Sequence, residues 1–540
     1  MFATHFAKTG QLLRLDLRRD WLKITCWLIG LVGLMAGAAA KFNGLYGTSK
    51  AMGTIITTLK TPAMVSLLGP FTAKSPYSVA LVYAAEMMVF MGLFTAMMNI
   101  YFAIHATRAD EDSGVLELIR AHSVGRFSAL TAAIGELVCL NLLAGVLEAL
   151  GLQASGMTGM DQAGNWLFGL GLAMFGLMFG IFSCFFAQVA TSARGATILS
   201  YSWLGLLYVV RMGTDVKNPD ATWWTIYGWI EKLDIYGQNH WLPVVLMLAM
   251  SLVIGTLTYA VGATRDVGAG LLPDRRGRRH ASRFLAGPLS LVARLERTST
   301  SIWLIGLLIL GATYGSIFGT AGDLLKSNPM MAKLIGTAAT DAANRAIVLS
   351  FANKLTIIFA VLATIPGLIT VFRLNGDERK GYFEQLHAHS VSRAHLYFAI
   401  AGFGLIVSLA SFGLAICGMY LAGVASMGAN MPDFSRFMRG FWGFAPALIT
   451  SIGVGALLAG CLPKWQNITW ILPAYGFFSL YLGALMNFPK WATQLTPFGW
   501  VNTVPLKTVN VGTAIWMTAL GIALVVVGFA AYKRRDLLVN

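Results

Sequence analysis

Residues 110–126 read DEDSGVLELIRAHSVGR, and residues 377–393 read DERKGYFEQLHAHSVSR. At a shift of 267 positions, nine of the 17 aligned residues are identical. So polar a segment does not recur at this level by chance, and we interpret the pair as an internal duplication of the chain. The identical pairs are Asp110/Asp377, Glu111/Glu378, Gly114/Gly381, Glu117/Glu384, Ala121/Ala388, His122/His389, Ser123/Ser390, Val124/Val391 and Arg126/Arg393.

The duplication continues well beyond this segment. Tyr227-Gly228-Trp229 is matched by Phe498-Gly499-Trp500, and Thr264-Arg265-Asp266 is matched by Arg534-Arg535-Asp536. The matched tripeptides follow the repeated segment in the same order in both copies, which indicates that a long stretch of chain was duplicated rather than a short motif.

An amphipathic stretch precedes each copy, at 12–27 and at 289–303. Apolar residues at helical spacing alternate there with Arg and acidic residues, a pattern typical of helices that lie in a membrane interface. We therefore divide the chain into a first half at 1–270, a basic linker with the second amphipathic helix at 271–300, and a second half at 301–540.

The composition is that of a membrane protein. Of the 540 residues, 56% are hydrophobic and 12% are charged, about half the charged fraction of a soluble protein. This excludes a soluble enzyme, a nucleic-acid-binding protein and a disordered chain as good descriptions. The five cysteines form no C-x-x-C pair, so the sequence suggests neither a disulfide framework nor a zinc site.

Twelve stretches have the length and apolar character of membrane-spanning helices, which need about 20 residues each. The sequence thus predicts an all-α membrane protein with twelve transmembrane helices in two parallel six-helix repeats. The predicted spans lie near 24–40, 79–105, 127–152, 165–189, 195–212, 241–263, 302–320, 347–372, 395–424, 441–462, 467–487 and 511–532.

The distribution of basic residues predicts the orientation, because cytoplasmic loops of membrane proteins are enriched in Lys and Arg. If both termini are cytoplasmic, 25 of the 40 Lys and Arg residues fall in inner segments and 13 in outer ones. The basic run RRGRRHASR at 275–283 then lies on the inner side, as do both copies of the repeated segment. We expect both termini to be cytoplasmic.

Each copy of the repeated segment predicts a short cytoplasmic helix, at 107–122 and at 374–389. Asp110 and Glu111 are placed at its start, where carboxylates suit a helix N-terminus. The apolar residues are spaced to form one stripe that could enter a groove on a cytoplasmic partner; these are Leu116, Ile119, Phe383 and Leu386. The alternative is a solvated helical hairpin without a partner. His122 and His389 invite a catalytic or metal-binding role, but a polar residue at the end of a short helix is the better interpretation.

The pattern E-x-x-G-x-x-E-x-x-x-A-x-[SP]-V-x-R between the second and third spans resembles the coupling helix of type 2 ABC transporter permeases. The amphipathic stretches resemble the elbow helices of that family, and Pro497-Phe498-Gly499-Trp500 is similar to its motif before the last span. The fused two-half form resembles the branch of antibiotic and multidrug exporters, often described as exporters of polyketide antibiotics. The first half departs from the pattern, because no proline precedes Tyr227.

The resemblance implies a permease that is powered by a separate ATPase subunit. The chain has no G-x-x-x-x-G-K-[ST] phosphate loop, so ATP and Mg²⁺ would be bound by two copies of that subunit, one on each coupling helix. The cargo would be a hydrophobic or amphipathic compound exported across a bacterial cell membrane. The residues assigned to coupling are Asp110, Glu111, Gly114, Glu117, His122, Asp377, Glu378, Gly381, Glu384 and His389; we assign no catalytic or metal-ligating residue and no nucleic-acid partner.

Placing an ionisable residue within a membrane span costs free energy, so such residues are candidates for function. Glu86 and Lys354 occupy nearly matching points in the two halves, and the resemblance implies that the second and fifth helices of each half line the transport path. Glu86, Lys354 and Glu136 are therefore candidate conduit or gate residues. The alternative for Glu86 and Lys354 is that their side chains reach the outer membrane surface and take no part in transport. Glu148 is expected near the outer end of its helix, in contact with water.

Two other functions are considered. A secondary transporter of the major facilitator type also has two six-span halves, but residues 106–115 do not fit the G-x-x-x-D-R-x-G-R-R motif that usually follows its second span. A membrane-embedded transferase would need a cluster of carboxylates or histidines near one interface, and the sequence shows no convincing cluster of that kind.

Overall fold

The computed structural model describes residues 5–60, 62–73, 75–266, 268–271, 280, 282–316, 318, 337–388, 391–482, 489–501, 504, 506 and 508–536. The described residues are helical or irregular, with no β-strand, which confirms the all-α prediction. The chain forms two compact units, Met1–Gly277 and Arg278–Asn540.

The described residues of unit 1 form nine α-helices, with the turn Asp110–Asp112 taken as the end of the fourth. They are α1 (Thr9–Tyr46), α2 (Ser49–Leu59), α3 (Pro62–Leu68), α4 (Val79–Ile104), α5 (Val115–Arg120), α6 (Ser128–Ser155), α7 (Gln162–Val189), α8 (Ala193–Lys217) and α9 (Leu242–Thr264). Helix α4 continues through a π-helical turn, His105–Ala109, and a last turn, Asp110–Asp112. Two 3₁₀ segments, Pro219–Trp224 and Tyr227–Leu233, connect α8 to α9.

The described residues of unit 2 form eight α-helices, five of which have 24 or more residues. Its helices are α10 (Pro288–Ser316), α11 (Thr337–Arg379), α12 (Tyr382–Ala388), α13 (Arg393–Met427), α14 (Phe434–Cys461), α15 (Ile471–Phe477), α16 (Lys490–Thr493) and α17 (Val511–Arg534). Helix α15 continues into a π-helical turn, Phe478–Leu482, and the 3₁₀ turn Pro497–Trp500 precedes α17.

Ten of the helices in the described part of the chain are long and apolar enough to cross a membrane. The predicted fifth span corresponds to α8, whose 25 residues include Arg211 and Asp215 and which is not among the ten. The predicted eleventh span begins as α15 and its π-helical turn, and residues 483–488 lie outside the described part. The count of twelve spans therefore stays a prediction.

The amphipathic stretches are not separate helices. Residues 12–27 are the start of the 38-residue helix α1, and 289–303 are the start of the 29-residue helix α10. At 1.5 Å per residue α1 is about 57 Å long, nearly twice the roughly 30 Å thickness of a bilayer's hydrocarbon core. The prediction of an elbow helix separate from the first span is thus wrong, because each amphipathic stretch and the span that follows it form one continuous helix. No helix-breaking residue separates the two parts.

The core of unit 1 is built around α4 and α7. Close approach of α6 and α7 depends on Gly145 and Gly169, because a Cβ at Gly169 would lie 2.1 Å from the Gly145 carbonyl oxygen. Small residues permit such contact between membrane helices. Nearby, the buried side chains of Asn99 and Asn141 form two hydrogen bonds with each other, at 3.0 and 2.5 Å, so α4 and α6 are joined by a polar pair inside an apolar core.

Candidate functional site

The repeated segment is a helix end followed by a separate short helix. Asp110 and Glu111 lie in the last turn of the α4 helix, not at the start of a new one. Gly114 then adopts a left-handed conformation at φ 78°, and α5 begins at Val115. The predicted single helix over 107–122 is therefore wrong: the chain reverses at Gly114, because a left-handed residue ends a helix and glycine adopts it without steric cost.

Unit 2 has the same local architecture. Asp377 and Glu378 lie in the last turns of α11, Gly381 is left-handed at φ 71°, and α12 begins at Tyr382. The shared glycine is thus explained by the backbone turn that both copies make. Residues 389 and 390 lie outside the described part, so the assignment of His389 is not tested.

Glu111 is held by the sixth long helix of its unit. The Arg265 guanidinium donates to both carboxylate oxygens, at 3.0 and 2.7 Å, and the Gly268 backbone N–H donates at 2.6 Å. Arg108 adds a further hydrogen bond at 3.1 Å. Glu378 repeats the main contact, since Arg535 donates to its carboxylate at 2.6 Å. The matched tripeptides at the ends of the two halves therefore supply the arginine partners of the repeated glutamates.

The repeated arginine also binds the end of the last helix in its own unit. Arg126 donates to the Ala263 carbonyl at 2.7 Å, and Arg393 donates to the Arg535 carbonyl at 2.8 Å. The last carbonyls of a helix lack partners within the helix, and a cation there also opposes the helix dipole. Arg126 and Arg393 therefore cap the last helices of the two units.

The acidic run Asp110-Glu111-Asp112 joins three different helices. Asp110 accepts a hydrogen bond from Arg19 on α1 at 2.8 Å, and Asp112 accepts one from the Ala193 backbone N–H at the start of α8 at 2.6 Å. With the contact from Glu111 to Arg265 near the end of α9, the run joins the first, fifth and sixth long helices of the unit to the end of α4.

Unit 2 makes a related bridge with a different arginine. In unit 1, Arg19 contacts both Asp20 and Asp110. In unit 2, Arg373 contacts Glu296 on α10 at 2.6 Å and Asp377 at 2.6 Å. The acidic partners are in corresponding places, but the arginine comes from the second helix rather than the first.

The apolar stripe packs inward in unit 2, contrary to expectation, and is half-buried in unit 1. Phe383 is buried in the core of unit 2, and Leu386 packs against that core. Leu116 and Ile119 line a cavity of about 770 Å³ between the repeated segment and α1, which also contributes Leu12. The prediction that the stripe enters a groove on a partner is thus wrong for Phe383, which is used within unit 2, and it stays a prediction for Leu116 and Ile119.

Each short helix has exposed residues at matching positions. Glu117 and Glu384 are exposed at matching positions, as are Ala121 and Ala388. Leu118 is 72% exposed beside Glu117. His122 is exposed after the end of α5, and no group of three or more His, Cys, Asp or Glu side chains suited to a metal occurs among the described residues.

The candidate gate residues lie in different environments. Glu86 on α4 is half-buried and interacts with the hydroxyl of Tyr46 in the same unit. Lys354 on α11 is exposed. Because the two residues belong to different units, their pairing stays a prediction.

Two carboxylates on α6 are buried without partners. Glu136 and Glu148 are each 1% exposed, and none of their four carboxylate oxygens has a hydrogen-bond partner among the described residues. The expectation that Glu148 is in contact with water is wrong, because α6 packs that face against neighbouring helices of unit 1. Burial of a charged carboxylate without a partner costs free energy of folding.

A buried charge cluster lies at the opposite end of unit 1 from the repeated segment, and sequence reasoning missed its partners. Arg211 is fully buried and contacts Glu231 and Asp215. Its guanidinium also donates to the Ser66 and Leu67 carbonyls, at 2.7 and 3.0 Å, and caps the end of α3. The sequence signal was Arg211 itself, an arginine inside an apolar stretch, but its acidic partner Glu231 is 20 residues away.

Comparison with known proteins gives the family. The family described as multidrug efflux system permease Rv1217c, C-terminal domain, matches residues 285–533. The chain is 31% identical over 548 aligned positions to the multidrug efflux system permease protein Rv1217c of Mycobacterium tuberculosis, and the alignment covers 98% of this chain and 95% of that protein. This multi-pass membrane protein, whose described residues include ten long apolar helices, belongs to the family of multidrug efflux system permeases.

Proposed function

We propose that this chain is the membrane subunit of an ABC-type exporter, which moves a hydrophobic or amphipathic, drug-like compound out of the cell with energy from a separate ATPase. The observation that carries the proposal is the repeated segment. Each unit holds this segment firmly through a glutamate–arginine pair and a capped helix end, and leaves Glu117 or Glu384 exposed on its outer face.

The contacts within each unit refine the assignment of roles. Asp110, Glu111, Asp377 and Glu378 hold the segment in place, and Gly114 and Gly381 form its turn. Glu117, Glu384 and His122 are left to meet a partner. This division supports a rigid connection between the short helices and the membrane helices. A force applied to α5 or α12 would reach the long helices through short ion pairs rather than through a flexible loop.

The partner is proposed to be a cytoplasmic ATP-binding subunit present in two copies, one for each unit. ATP and Mg²⁺ would be bound by that subunit and not by this chain. The two repeated segments are similar in sequence, so each could bind the same surface on one copy of the partner. Two similar segments therefore suit two identical partner subunits. The relative Rv1217c is a multidrug efflux system permease, which supports a drug-like cargo.

The proposed topology has twelve spans in two parallel six-helix repeats, with both termini and both repeated segments in the cytoplasm. The excess of Lys and Arg in the inner segments supports this orientation. Cysteine substitutions at Glu117, Glu384 and Asp220 test it with a membrane-impermeant maleimide on intact cells. We expect labelling at position 220 only; labelling at 117 or 384 from outside would refute the orientation.

The partner is tested by purification. The chain is produced together with the ATP-binding protein encoded beside its gene and is isolated through a tag on the permease. We expect the ATP-binding protein to co-purify and its ATP turnover to rise on reconstitution with the permease. Absence of any such protein from the purified material, with the permease well folded, would contradict the proposal.

A further inference from the structure

A cavity of about 550 Å³ lies beside the buried charge cluster of unit 1, at the end of α4 remote from the repeated segment. One wall is the chain from Leu68 to Ala73, a second is the α4 face that carries Leu81, Ala85 and Val89, and the third is formed by residues 230–235.

The polar groups of this cavity are acidic. Glu231 and Asp234 line it, and the Glu231 side chain is only 8% exposed. Gly69, left-handed at φ 97°, lets the backbone of the opposite wall approach the Glu231 carboxylate, since a Cβ there would lie 2.7 Å from Cδ. Glu231 is therefore enclosed between the two walls rather than directed into solvent.

The buried cluster beside the cavity has one guanidinium group for two carboxyl groups. Arg211 is one cation shared between two carboxylates, Glu231 and Asp215. Oxygen Oε2 of Glu231 and oxygen Oδ2 of Asp215 accept no hydrogen bond from an N–H group or a hydroxyl group among the described residues, and the two carboxyl groups interact with each other. The Lys232 ammonium group donates to the Pro219 carbonyl at 2.9 Å and acts on Asp215 through its charge, without a hydrogen bond to it. A buried carboxylate in this position needs either a proton or another cation.

We propose that this cavity binds a lipophilic organic cation, with the positive charge facing Glu231 and Asp234 and the apolar body against Leu81, Ala85 and Val89. The site lies within unit 1 and is independent of the energy source. The sequence supports its restriction to unit 1, because alignment of Tyr227-Gly228-Trp229 with Phe498-Gly499-Trp500 places Asn502 at the position of Glu231.

The cluster also predicts how binding depends on pH. Burial raises the pKa of Glu231 to about 8, so below that pH a cation must displace a proton from the cluster. Affinity should therefore rise as the pH increases towards 8 and level off above it. The titratable and charged groups around Glu231 are Arg211, Asp215, Tyr208, Tyr227, Lys232 and Asp234.

Equilibrium binding of tetraphenylphosphonium to the purified full chain in lipid nanodiscs tests the proposal, without ATP or any ATPase. We expect saturable binding at pH 8, about threefold or more weaker at pH 6.5, and no competition by uncharged triphenylphosphine oxide. Glu231→Gln keeps an oxygen acceptor for Arg211 but removes the charge, and should weaken binding about tenfold. Asp220→Asn, an exposed acid in the same outer connection, is the matched control and should bind as the unmodified chain does.

A second variant distinguishes loss of the binding site from misfolding of the charge cluster. Ala85→Phe fills the cavity from α4 and leaves every charge in place, so it should abolish saturable binding while the melting temperature stays close to that of the unmodified chain. Full-strength binding by Ala85→Phe, or by a folded Glu231→Gln, would overturn the proposal, as would absence of saturable binding by the unmodified chain.

Discussion

Glu111 accepts two hydrogen bonds from the Arg265 guanidinium, at 3.0 and 2.7 Å, across 154 residues of sequence. The contact joins the end of the second long helix to the end of the sixth, and Glu378 and Arg535 repeat it in the other unit. Bidentate arginine–carboxylate pairs combine strength with fixed geometry. The repeated segment is thus anchored at its base, which is what transmission of force from a partner to the membrane helices would need.

The anchor predicts a stability effect. Arg265→Met leaves the buried Glu111 carboxylate without its main partner, and loss of one member of a buried pair costs about 3–5 kcal/mol. We expect a clear fall in the melting temperature of the purified chain and partial recovery in the double variant Glu111→Gln with Arg265→Met. Arg379→Met removes an exposed arginine next to the matching pair in unit 2 and should change stability by less than about 0.5 kcal/mol. Equal effects of the two arginine variants would contradict the anchor.

The turn predicts opposite effects of one substitution at two nearby glycines. Gly381→Ala places a Cβ at φ 71° and should destabilise the protein by about 1 kcal/mol. Gly376→Ala lies inside helix α11, where no atom obstructs the new Cβ, and should stabilise the protein by about 0.5–1 kcal/mol. Thermal unfolding of the two variants measures the difference. A loss of stability at 376, or none at 381, would show that the left-handed turn does not set the end of α11.

Reversal of charge at the exposed Glu117 and Glu384 should reduce coupling to ATP turnover without unfolding the protein. Glu117→Lys together with Glu384→Lys should lower permease-dependent ATP turnover about tenfold or more, because both reverse the charge on the surface proposed to meet the ATPase. Asp220→Lys with Asp433→Lys reverses two exposed acids in connections expected on the other side of the membrane and is the matched control. Unchanged turnover and unchanged assembly in the first double variant would remove Glu117 and Glu384 from the coupling surface.

The gate hypothesis predicts non-additivity between Glu86 and Lys354. If the two pair at one stage of transport, the effects of Glu86→Gln and Lys354→Met on transport should couple by more than about 0.5 kcal/mol in a double-mutant cycle. Tyr46→Phe is the control for Glu86, since Tyr46 interacts with it within unit 1 and should show no coupling to Lys354. Strict additivity of the Glu86 and Lys354 variants would retire the gate and leave the exporter proposal intact.

Much of the local architecture could be predicted from the repeat. The duplicated residues located the segment, and the length of the apolar stretches located most of the long helices. The partners of the repeated residues could not be predicted, because Arg265 and Glu111 meet only after two helices have packed. The duplication nevertheless contained a signal for this contact. Both members of the pair recur in the second copy, as Glu111 and Glu378 and as Arg265 and Arg535.

The errors have identifiable causes. Acidic residues suit a helix N-terminus, but Asp110 and Glu111 end a helix here, where arginines on neighbouring helices outweigh the unfavourable dipole. The apolar stripe was correct in spacing, but Phe383 packs inward because burial in its own unit is available without a partner. Glu148 looked accessible from its place near a helix end, and only the packing of α6 shows that it is buried.

The most direct test of the central claim is energy-dependent transport by inverted membrane vesicles. Vesicles that contain the permease and its co-purified ATPase are supplied with a fluorescent amphipathic drug. We predict uptake that requires MgATP, persists when a protonophore collapses the proton gradient, and is abolished by the double variant Glu117→Lys with Glu384→Lys. Uptake by vesicles with the permease alone, driven by a proton gradient and indifferent to MgATP, would contradict the account and favour a secondary transporter.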